Sequence, residues 1–268
     1  MHRLVSAFLA LALLGQAFAA CPPQLFGNRD RVDVRKLLGR KNLNAQDEFR
    51  IATAYVYGDG VGLDNAEAFH WYTRAANSGD SAAQVNLAMM YLEGCGAQQD
   101  AKAAAQWFRR AAGEGYMPAK FMLGTLYMKG AGVSADTRMG VNLIREAAES
   151  NFPPAMYNLA VSYAKGIGNP VDNKRALLWM ERAANSGVPD AELAMGEIYF
   201  KGLEVRQDRA KALRWYLRAA RHGNADAEYM LSVAYSNGLG VERNEQESAR
   251  WLERARRDGA TISAFAPQ

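Results

Sequence analysis

The stretch from residue 91 to residue 100, YLEGCGAQQD, has the residue types of a reactive or ligand-binding site. Gly94 and Gly96 flank Cys95, and Asp100 closes the stretch. A glycine-rich loop can cradle a phosphate on its backbone N–H groups, and a cysteine beside a base can act as a nucleophile. Either interpretation requires that the pattern be a singular feature of the chain.

The residues that catalysis or metal binding would need do not accompany this stretch. His70 and His222 stand far apart in the sequence, and their equivalents elsewhere in the chain are chemically unrelated residues. There is no Gly-x-Ser-x-Gly elbow, His-Glu-x-x-His pair or glycine loop followed by a lysine, and no spacing singles out an acid and base pair among the carboxylates. The sequence therefore predicts no catalytic, cofactor-binding or metal-binding residues.

The glycine and aromatic pattern instead recurs every 36 residues, which is typical of a repeat architecture. Gly94 belongs to the series Gly58, Gly94, Gly130, Gly166, Gly202 and Gly238. Tyr91 belongs to the series Tyr55, Tyr91, Tyr127, Tyr163, Tyr199 and Tyr235. The same step relates Trp71, Trp107, Trp179, Trp215 and Trp251. Six units fit between Asp47 and Ile262.

Each unit contains two helical stretches, each followed by a helix-stopping residue. The second helix is preceded by an N-cap residue, in the order Asp64, Asp100, Asp136, Asp172, Asp208 and Asn244. It is followed by Gly79, Gly115, Asn151, Gly187, Gly223 and Gly259, and asparagine is the usual alternative to glycine in a left-handed helix stop. We therefore predict an all-α fold, a right-handed α-solenoid of six 36-residue helix-turn-helix repeats.

The repeat resembles the Sel-one-like repeat family of tetratricopeptide-like helical repeats. The matching residues of each unit are the alanine, leucine, tyrosine and glycine of the first helix, then the aspartate, tryptophan and alanine pair of the second. Three positions depart from the pattern: Asp47 replaces the leading alanine, Leu143 the tryptophan, and Glu204 the second loop glycine. The last departure predicts a differently shaped loop in unit five.

The domain boundaries follow from the repeats. Residues 1–19 have the charged start, apolar segment and small-residue end of a signal peptide, so we expect an exported, periplasmic protein without a transmembrane segment. Residues 20–46 are predicted to cap the first repeat, 47–262 to form the six repeats, and 263–268 to be a tail. The net charge of +4 is too small to indicate nucleic-acid binding.

The chain has two cysteines, Cys21 and Cys95. In an oxidising compartment an even, small number of cysteines permits one disulfide. A lipid anchor on Cys21 is a second interpretation, although Phe18 is an atypical residue at that processing position, and two free thiols are a third. The three alternatives stay open at this point.

One face of the first helix is predicted to bind a partner. Counted from the leading residue of each unit, the shared positions one, five and nine lie on one side of the helix, and positions three, seven, ten and eleven lie opposite. The family resemblance implies that this opposite side lines a concave groove. Its apolar stripe, flanked by charges such as Glu93 and Lys201, suits a protein interface. The candidate partner-binding residues are Phe49, Val85, Met89, Leu92, Phe121, Met128, Tyr157, Leu193, Phe200 and Tyr229. The alternative is that position three packs against the neighbouring unit.

The resemblance implies a non-catalytic, exported protein-binding solenoid that uses no cofactor. Exported members of the family include periplasmic immunity proteins that neutralise type VI secretion phospholipase toxins, and this is the most specific expectation. Cell-envelope scaffolds and secretion or adhesion adaptors are the alternative. A β-lactamase-like hydrolase is disfavoured, because that branch of the family carries a cysteine pair in each repeat and this chain does not.

Overall fold

The computed structural model describes residues 33–261, and within this range the chain forms thirteen α-helices and no strand. A short helix is followed by six helix pairs, which confirms the predicted all-α repeat fold. The signal peptide 1–19, the start of the cap segment and the tail 263–268 lie outside the described residues. The bounds are α1 Val34–Leu38, α2 Ala45–Tyr57, α3 Asn65–Asn77, α4 Ser81–Glu93, α5 Ala101–Gly113, α6 Met117–Lys129, α7 Thr137–Glu149, α8 Pro153–Lys165, α9 Asn173–Asn185, α10 Pro189–Lys201, α11 Arg209–Arg221, α12 Ala225–Asn237 and α13 Glu245–Arg257.

The helix ends lie where the capping residues predict them. Asp64 illustrates the start of a second helix, since its Oδ1 accepts hydrogen bonds from the backbone N–H groups of Ala66 and Glu67 at 2.9 and 3.1 Å. Its own N–H donates to the carbonyl of Tyr55 at 3.0 Å, which ties the loop back to the first helix. Gly58 ends that first helix with a φ of 70°, in the left-handed region that a residue with a Cβ disfavours.

The helix pairs are grouped into two compact units, which comprise residues 33–150 and 151–261 of the described chain. In the first unit, Tyr72, Leu87 and Met90 belong to a buried core between the helices. In the second unit, Tyr216 and Leu231 occupy an equivalent core. Each core is lined by alanines from both helices of a pair, and their small side chains permit the close approach of the helix backbones.

The loop glycines interlock consecutive repeats within each unit. Gly132 lies so close to the start of α5 that an added Cβ would overlap the carbonyl oxygen of Ala101. The same holds for Gly96 against Asn65 in α3, and for Gly240 against Arg209 in α11. The second loop glycine therefore has two functions: it adopts a positive φ, and it leaves room for the preceding repeat.

Glu204 does not change the loop of repeat five, so the prediction of a different loop shape was wrong. Its φ is 57°, in the same left-handed region as the 71° of Gly96. The Glu204 carboxylate accepts a hydrogen bond of 3.2 Å from Nδ2 of Asn173, the first residue of α9. The side chain thus contacts the preceding repeat at the place where the other loops use a close glycine backbone.

A buried charge pair joins the two helices in several repeats. Glu48 pairs with Arg74 at 2.7 Å, and the glutamate side chain is only 6% exposed. The equivalent pair in repeat six is Glu228 with Arg254 at 2.8 Å. In repeat three the charges are exchanged, since Lys120 occupies the glutamate position and pairs with Glu146 at 2.7 Å. The reversal shows that the contact also forms with the two charges exchanged.

The charge pair also explains why Leu143 stands where other repeats have tryptophan. Where the second helix supplies the arginine, its guanidinium lies over a tryptophan three residues earlier, as Arg74 lies 4.5 Å from the ring centre of Trp71. In repeat three the arginine position is Glu146, which has no cation to place on an aromatic ring. A leucine fills the same space without that requirement.

The glycine interlock predicts unequal costs for two similar substitutions. Gly132→Ala should lower the free energy of unfolding by about 3 kcal/mol, because it combines a disfavoured φ with overlap of the Ala101 carbonyl. Gly60→Ala is the matched control: its φ is 78°, but nothing lies within 4 Å of the added Cβ, so it should cost about 1 kcal/mol. Urea unfolding of both variants measures the difference, and equal losses would contradict the interlock.

The charge pair predicts a second contrast. Arg74→Ala should cost about 3 kcal/mol, because it leaves the buried Glu48 carboxylate without its cation. Arg182→Ala should cost about 1 kcal/mol, because Arg182 also lies over a tryptophan, at 4.7 Å, while the glutamate position of its repeat is occupied by Met156. Adding Glu48→Gln to Arg74→Ala should recover part of the loss. Chemical unfolding that gives the two arginine variants the same stability contradicts this explanation.

Candidate protein-binding face

The first-helix face consists of positions three, seven, ten and eleven of each first helix, counted from Asp47, Ala83, Ala119, Ala155, Ala191 and Ala227 as position one. The opposite side of the helix is committed to packing. Ala83 at position one and Leu87 at position five are fully buried, and their equivalents in the other repeats are buried as well. Positions one and five therefore keep one kind of residue in most repeats, whereas the first-helix face varies.

The ten candidate residues on this face fall into two groups. The buried residues are Phe49, Val85, Met89, Phe121 and Tyr157. The half-buried residues are Leu92, Met128, Leu193, Phe200 and Tyr229. The side chains of the first group are packed inside the protein, as the packing alternative predicts. The half-buried group is therefore the better set of positions for testing partner contact.

Ring contacts show what some of these side chains do in the folded chain. Phe49 packs edge-on against Tyr72, with 5.6 Å between the ring centres, and it belongs to the core of the first unit. In the second unit, Phe200 packs at the border of the core, and the Arg209 guanidinium lies 5.9 Å from its ring centre. Phe200 also borders a shallow crevice beside Met230, which is too small to enclose a metabolite.

The charged residues on and beside the face have perturbed proton affinities. Burial raises the pKa of Glu93 to about 7 and lowers the pKa of Lys129. Burial also raises the pKa of Glu197, and the nearby negative charge of Asp226 adds to this effect, although Lys201 binds the carboxylate at 3.0 Å. Glu93 and Lys129 lie on α4 and α6 of the first unit, and Glu197 and Lys201 lie on α10 of the second.

Two acidic residues of this region were not among the sequence candidates. Asp190 and Asp226 are the second residues of α10 and α12, and Asp190 accepts a hydrogen bond of 2.9 Å from Asn224. Burial raises the pKa of Asp190, and the charge of Asp226 contributes further. The sequence did contain a signal for them: only repeats five and six have an acid at this position, and the other repeats have Gln46, Ala82 or proline there.

His222 takes part in a contact that joins two helices of the second unit. His222 Nδ1 lies 2.6 Å from Glu192 Oε2, and Arg218 binds the other oxygen of this fully buried carboxylate at 3.0 Å. Within residues 33–261, no three histidine, cysteine, aspartate or glutamate side chains are grouped as metal ligands. In the same range, no helix has the length and apolar character needed to cross a membrane.

Cys95 is buried, with an exposed fraction of 2%, at the loop after α4. The described part of the chain contains no free cysteine thiol. Cys21 lies outside the described residues, so its pairing with Cys95 and its lipidation both stay predictions. The burial of Cys95 removes the accessibility that a catalytic thiol would need.

Comparison with known proteins identifies the repeat. A family model described as Sel1 repeat matches residues 45–80, 81–116, 118–152, 153–188, 189–224 and 225–259. A comparison with curated protein sequences gave no significant match.

Solved structures share the fold. A Sel1 repeat protein from Oxalobacter formigenes is 30% identical over 82% of this chain, with a TM-score of 0.76, and this chain spans 64% of that protein. A protective antigen of uropathogenic Escherichia coli with an SLR fold is 29% identical over 82% of this chain, with a TM-score of 0.65. This chain spans 47% of that protein. An immunity protein of Pseudomonas aeruginosa has a TM-score of 0.59 and 19% identity, over 87% of this chain and 88% of that protein.

The predicted disulfide can be tested by counting thiols. In denatured, unreduced protein that begins at residue 20, a Cys21–Cys95 bridge leaves no thiol that reacts with Ellman's reagent, and two appear after reduction. Cys95→Ser is the control, since it should leave one reactive thiol before and after reduction. Two reactive thiols in unreduced protein purified from an oxidising compartment would exclude the bridge, and an acyl chain on Cys21 found by mass spectrometry would replace it.

Proposed function

Because the chain belongs to the Sel1 repeat family, whose repeats typically bind proteins, we propose that it is an exported, non-catalytic protein that binds a protein partner through its first-helix face. The family supports the nature of the ligand, and the apolar and charged residues of the face support the surface.

The observation that carries the proposal is the contrast between the two sides of the first helix. On the packing side, position one is alanine in five of the six repeats and is buried. On the first-helix face, position seven changes from Thr53 to Met89, Thr125, Val161, Glu197 and Val233. A surface that only supported the stack would repeat its chemistry, whereas position seven holds four different residue types in six repeats.

We further propose that the partner is a toxin and that the chain is a periplasmic immunity protein against a type VI secretion phospholipase. The Pseudomonas immunity protein has the same fold and nearly the same extent, while the Oxalobacter and Escherichia proteins are longer than this chain. At 19% identity the likeness concerns the fold alone. The motivation is that a short repeat array suits a clamp on one partner.

A cell-envelope scaffold or a secretion or adhesion adaptor is the second candidate. The Oxalobacter and Escherichia structures support it, since both share this fold in chains of which this protein spans only part. The two candidates differ in the number of partners: an immunity protein binds one toxin in a defined ratio, and an adaptor binds several envelope proteins.

Partner capture by a matched pair of variants tests the proposal. The protein from residue 20 onward is used as bait for periplasmic extract, and each captured protein is purified and titrated against it. Combining Leu193→Ala, Phe200→Ala and Tyr229→Ala should weaken binding at least tenfold, because interface anchors of this kind carry most of the binding energy. Met139→Ala with Leu178→Ala is the control, since these residues are exposed apolar side chains on second helices. Circular dichroism checks that both variants stay helical.

The outcomes separate the candidates. A single partner that is toxic to cells lacking this chain supports immunity, and several envelope proteins support the adaptor. Equal weakening by the face variant and the second-helix control contradicts the proposed face. Hydrolysis of a penicillin reporter by the pure protein, abolished by one carboxylate or thiol substitution, contradicts the non-catalytic assignment.

A further inference from the structure

An acidic cluster lies on and beside the first-helix face of repeats five and six. Asp190 and Glu197 are seven residues apart on α10, which places them on one side of the helix, about 10.5 Å apart along its axis. Asp226 is the equivalent of Asp190 on α12, and its negative charge acts on the proton affinity of both other carboxylates. The three side chains therefore form one negatively charged area.

The charge of this cluster is opposite to that of the whole chain. Lys201 binds Glu197 at 3.0 Å while its own side chain is 45% exposed. Asp190 is hydrogen-bonded to the neutral Asn224, and Asp226 to the backbone N–H of Thr261 at 2.7 Å. The chain as a whole carries a formal charge of +4, so the negative area is a local feature rather than part of a general acidity.

The repeats provide an internal comparison that separates a packing role from a binding role. Position seven holds threonine, methionine or valine in the other repeats, and only repeat five has a carboxylate there. The repeats without these acids fold into the same helix pairs. The stack therefore does not require the acidic residues, and their presence in two neighbouring repeats needs another explanation.

A buried phenol group beside the cluster has unused hydrogen-bonding capacity. The Tyr216 hydroxyl is buried without a hydrogen-bond partner among the described residues, and burial and the charge of Glu197 both raise its pKa. In repeat one, the equivalent Tyr72 hydroxyl lies 3.0 Å from Thr53, the equivalent of Glu197. The Tyr157 side chain is more than nine-tenths buried, and the charges of Asp190 and Glu197 add to the effect of burial in raising the pKa of its phenol. Tyr216 thus borders Glu197 with an unused hydrogen-bonding group.

These features identify the chemistry of the ligand. Asp190 and Glu197 are about 10.5 Å apart along the axis of α10, a separation that suits an extended side chain better than coordination of one compact cation by both. A guanidinium is larger, carries five N–H donors and can stack on an aromatic ring, so it can satisfy carboxylates and phenols together.

We propose that Asp190, Glu197 and Asp226, beside the buried phenols of Tyr157 and Tyr216, form the docking site for an arginine-containing basic segment of the protein partner. This deepens the proposed function and rests on it, because it specifies the partner's chemistry at part of the same face. Arginine side chains of the partner bind between α10 and α12, and their N–H groups donate to the carboxylates. Tyr157 holds position three of α8, and Tyr216 lies on α11, the helix that connects α10 to α12 in the chain.

A labelled octa-arginine peptide is the direct probe, with octa-glutamate as the peptide of opposite charge. Fluorescence anisotropy should show octa-arginine binding that weakens as salt rises, and no octa-glutamate binding. Combining Asp190→Asn, Glu197→Gln and Asp226→Asn should weaken octa-arginine binding about tenfold or more. The matched control combines Glu181→Gln, Glu242→Gln and Glu253→Gln, which remove the same charge from exposed positions of repeats four and six. This control should change affinity less than twofold.

Thermal melting excludes unfolding as the cause. The cluster variant should melt no lower than the wild-type protein, because relief of repulsion among the three carboxylates offsets the lost attraction to the helix N-termini. Equal binding of octa-arginine by the cluster and control variants overturns the proposal, as does equal binding of both peptides by the wild type. A cluster variant that melts much lower than the control assigns the acids to packing and overturns it too.

Failure here is distinguishable from failure of the proposed function. If the captured periplasmic partner binds the cluster variant as tightly as the wild type, the acidic docking site is wrong while partner binding stands. If no protein partner is captured but the cluster still selects octa-arginine, the site's chemistry is supported and the proposed function fails.

Discussion

The close approach between a loop glycine and the start of the preceding second helix is the contact on which the repeat geometry depends. At Gly132 the backbone lies directly against the Ala101 carbonyl, where no side chain fits. At Gly96, Gly132 and Gly240 this contact fixes where the loop crosses the preceding repeat, and the aspartate or asparagine cap with its bond to the tyrosine carbonyl ties the end of the loop to the first helix.

That constraint separates positions that must repeat from positions that are free to differ. Alanines and leucines on the packing side fill a space of fixed size, and the buried charge pair accepts either Glu with Arg or Lys with Glu. The half-buried residues of the first-helix face are under neither constraint. These residues can therefore be complementary to a protein partner without disturbing the fold. This is the physical reason for proposing that the partner binds at this face.

Much of the fold was predictable because its determinants are local in the sequence. The stop at Gly58 and the cap at Asp64 are readable from single residues, and a 36-residue period multiplies the signal six times. The burial of Phe49 was not predictable in the same way, because helical periodicity gives the side of a helix and not the depth of its neighbours. The Glu204 loop was mispredicted because the sequence pattern does not show that Asn173 can hold a glutamate in a left-handed conformation. Asp190 and Asp226 were missed because each looks like an ordinary helix-start acid, and only the spatial proximity of Glu197 makes them a cluster.

Hydrogen exchange of the purified complex between this chain and its captured partner tests the central claim most directly. The account predicts that partner binding slows amide exchange in first helices, most strongly in Pro189–Lys201 and Ala225–Asn237, while Arg209–Arg221 and Glu245–Arg257 exchange as in the free protein. Protection confined to the second helices would place the interface on the other side of the repeats and contradict the account.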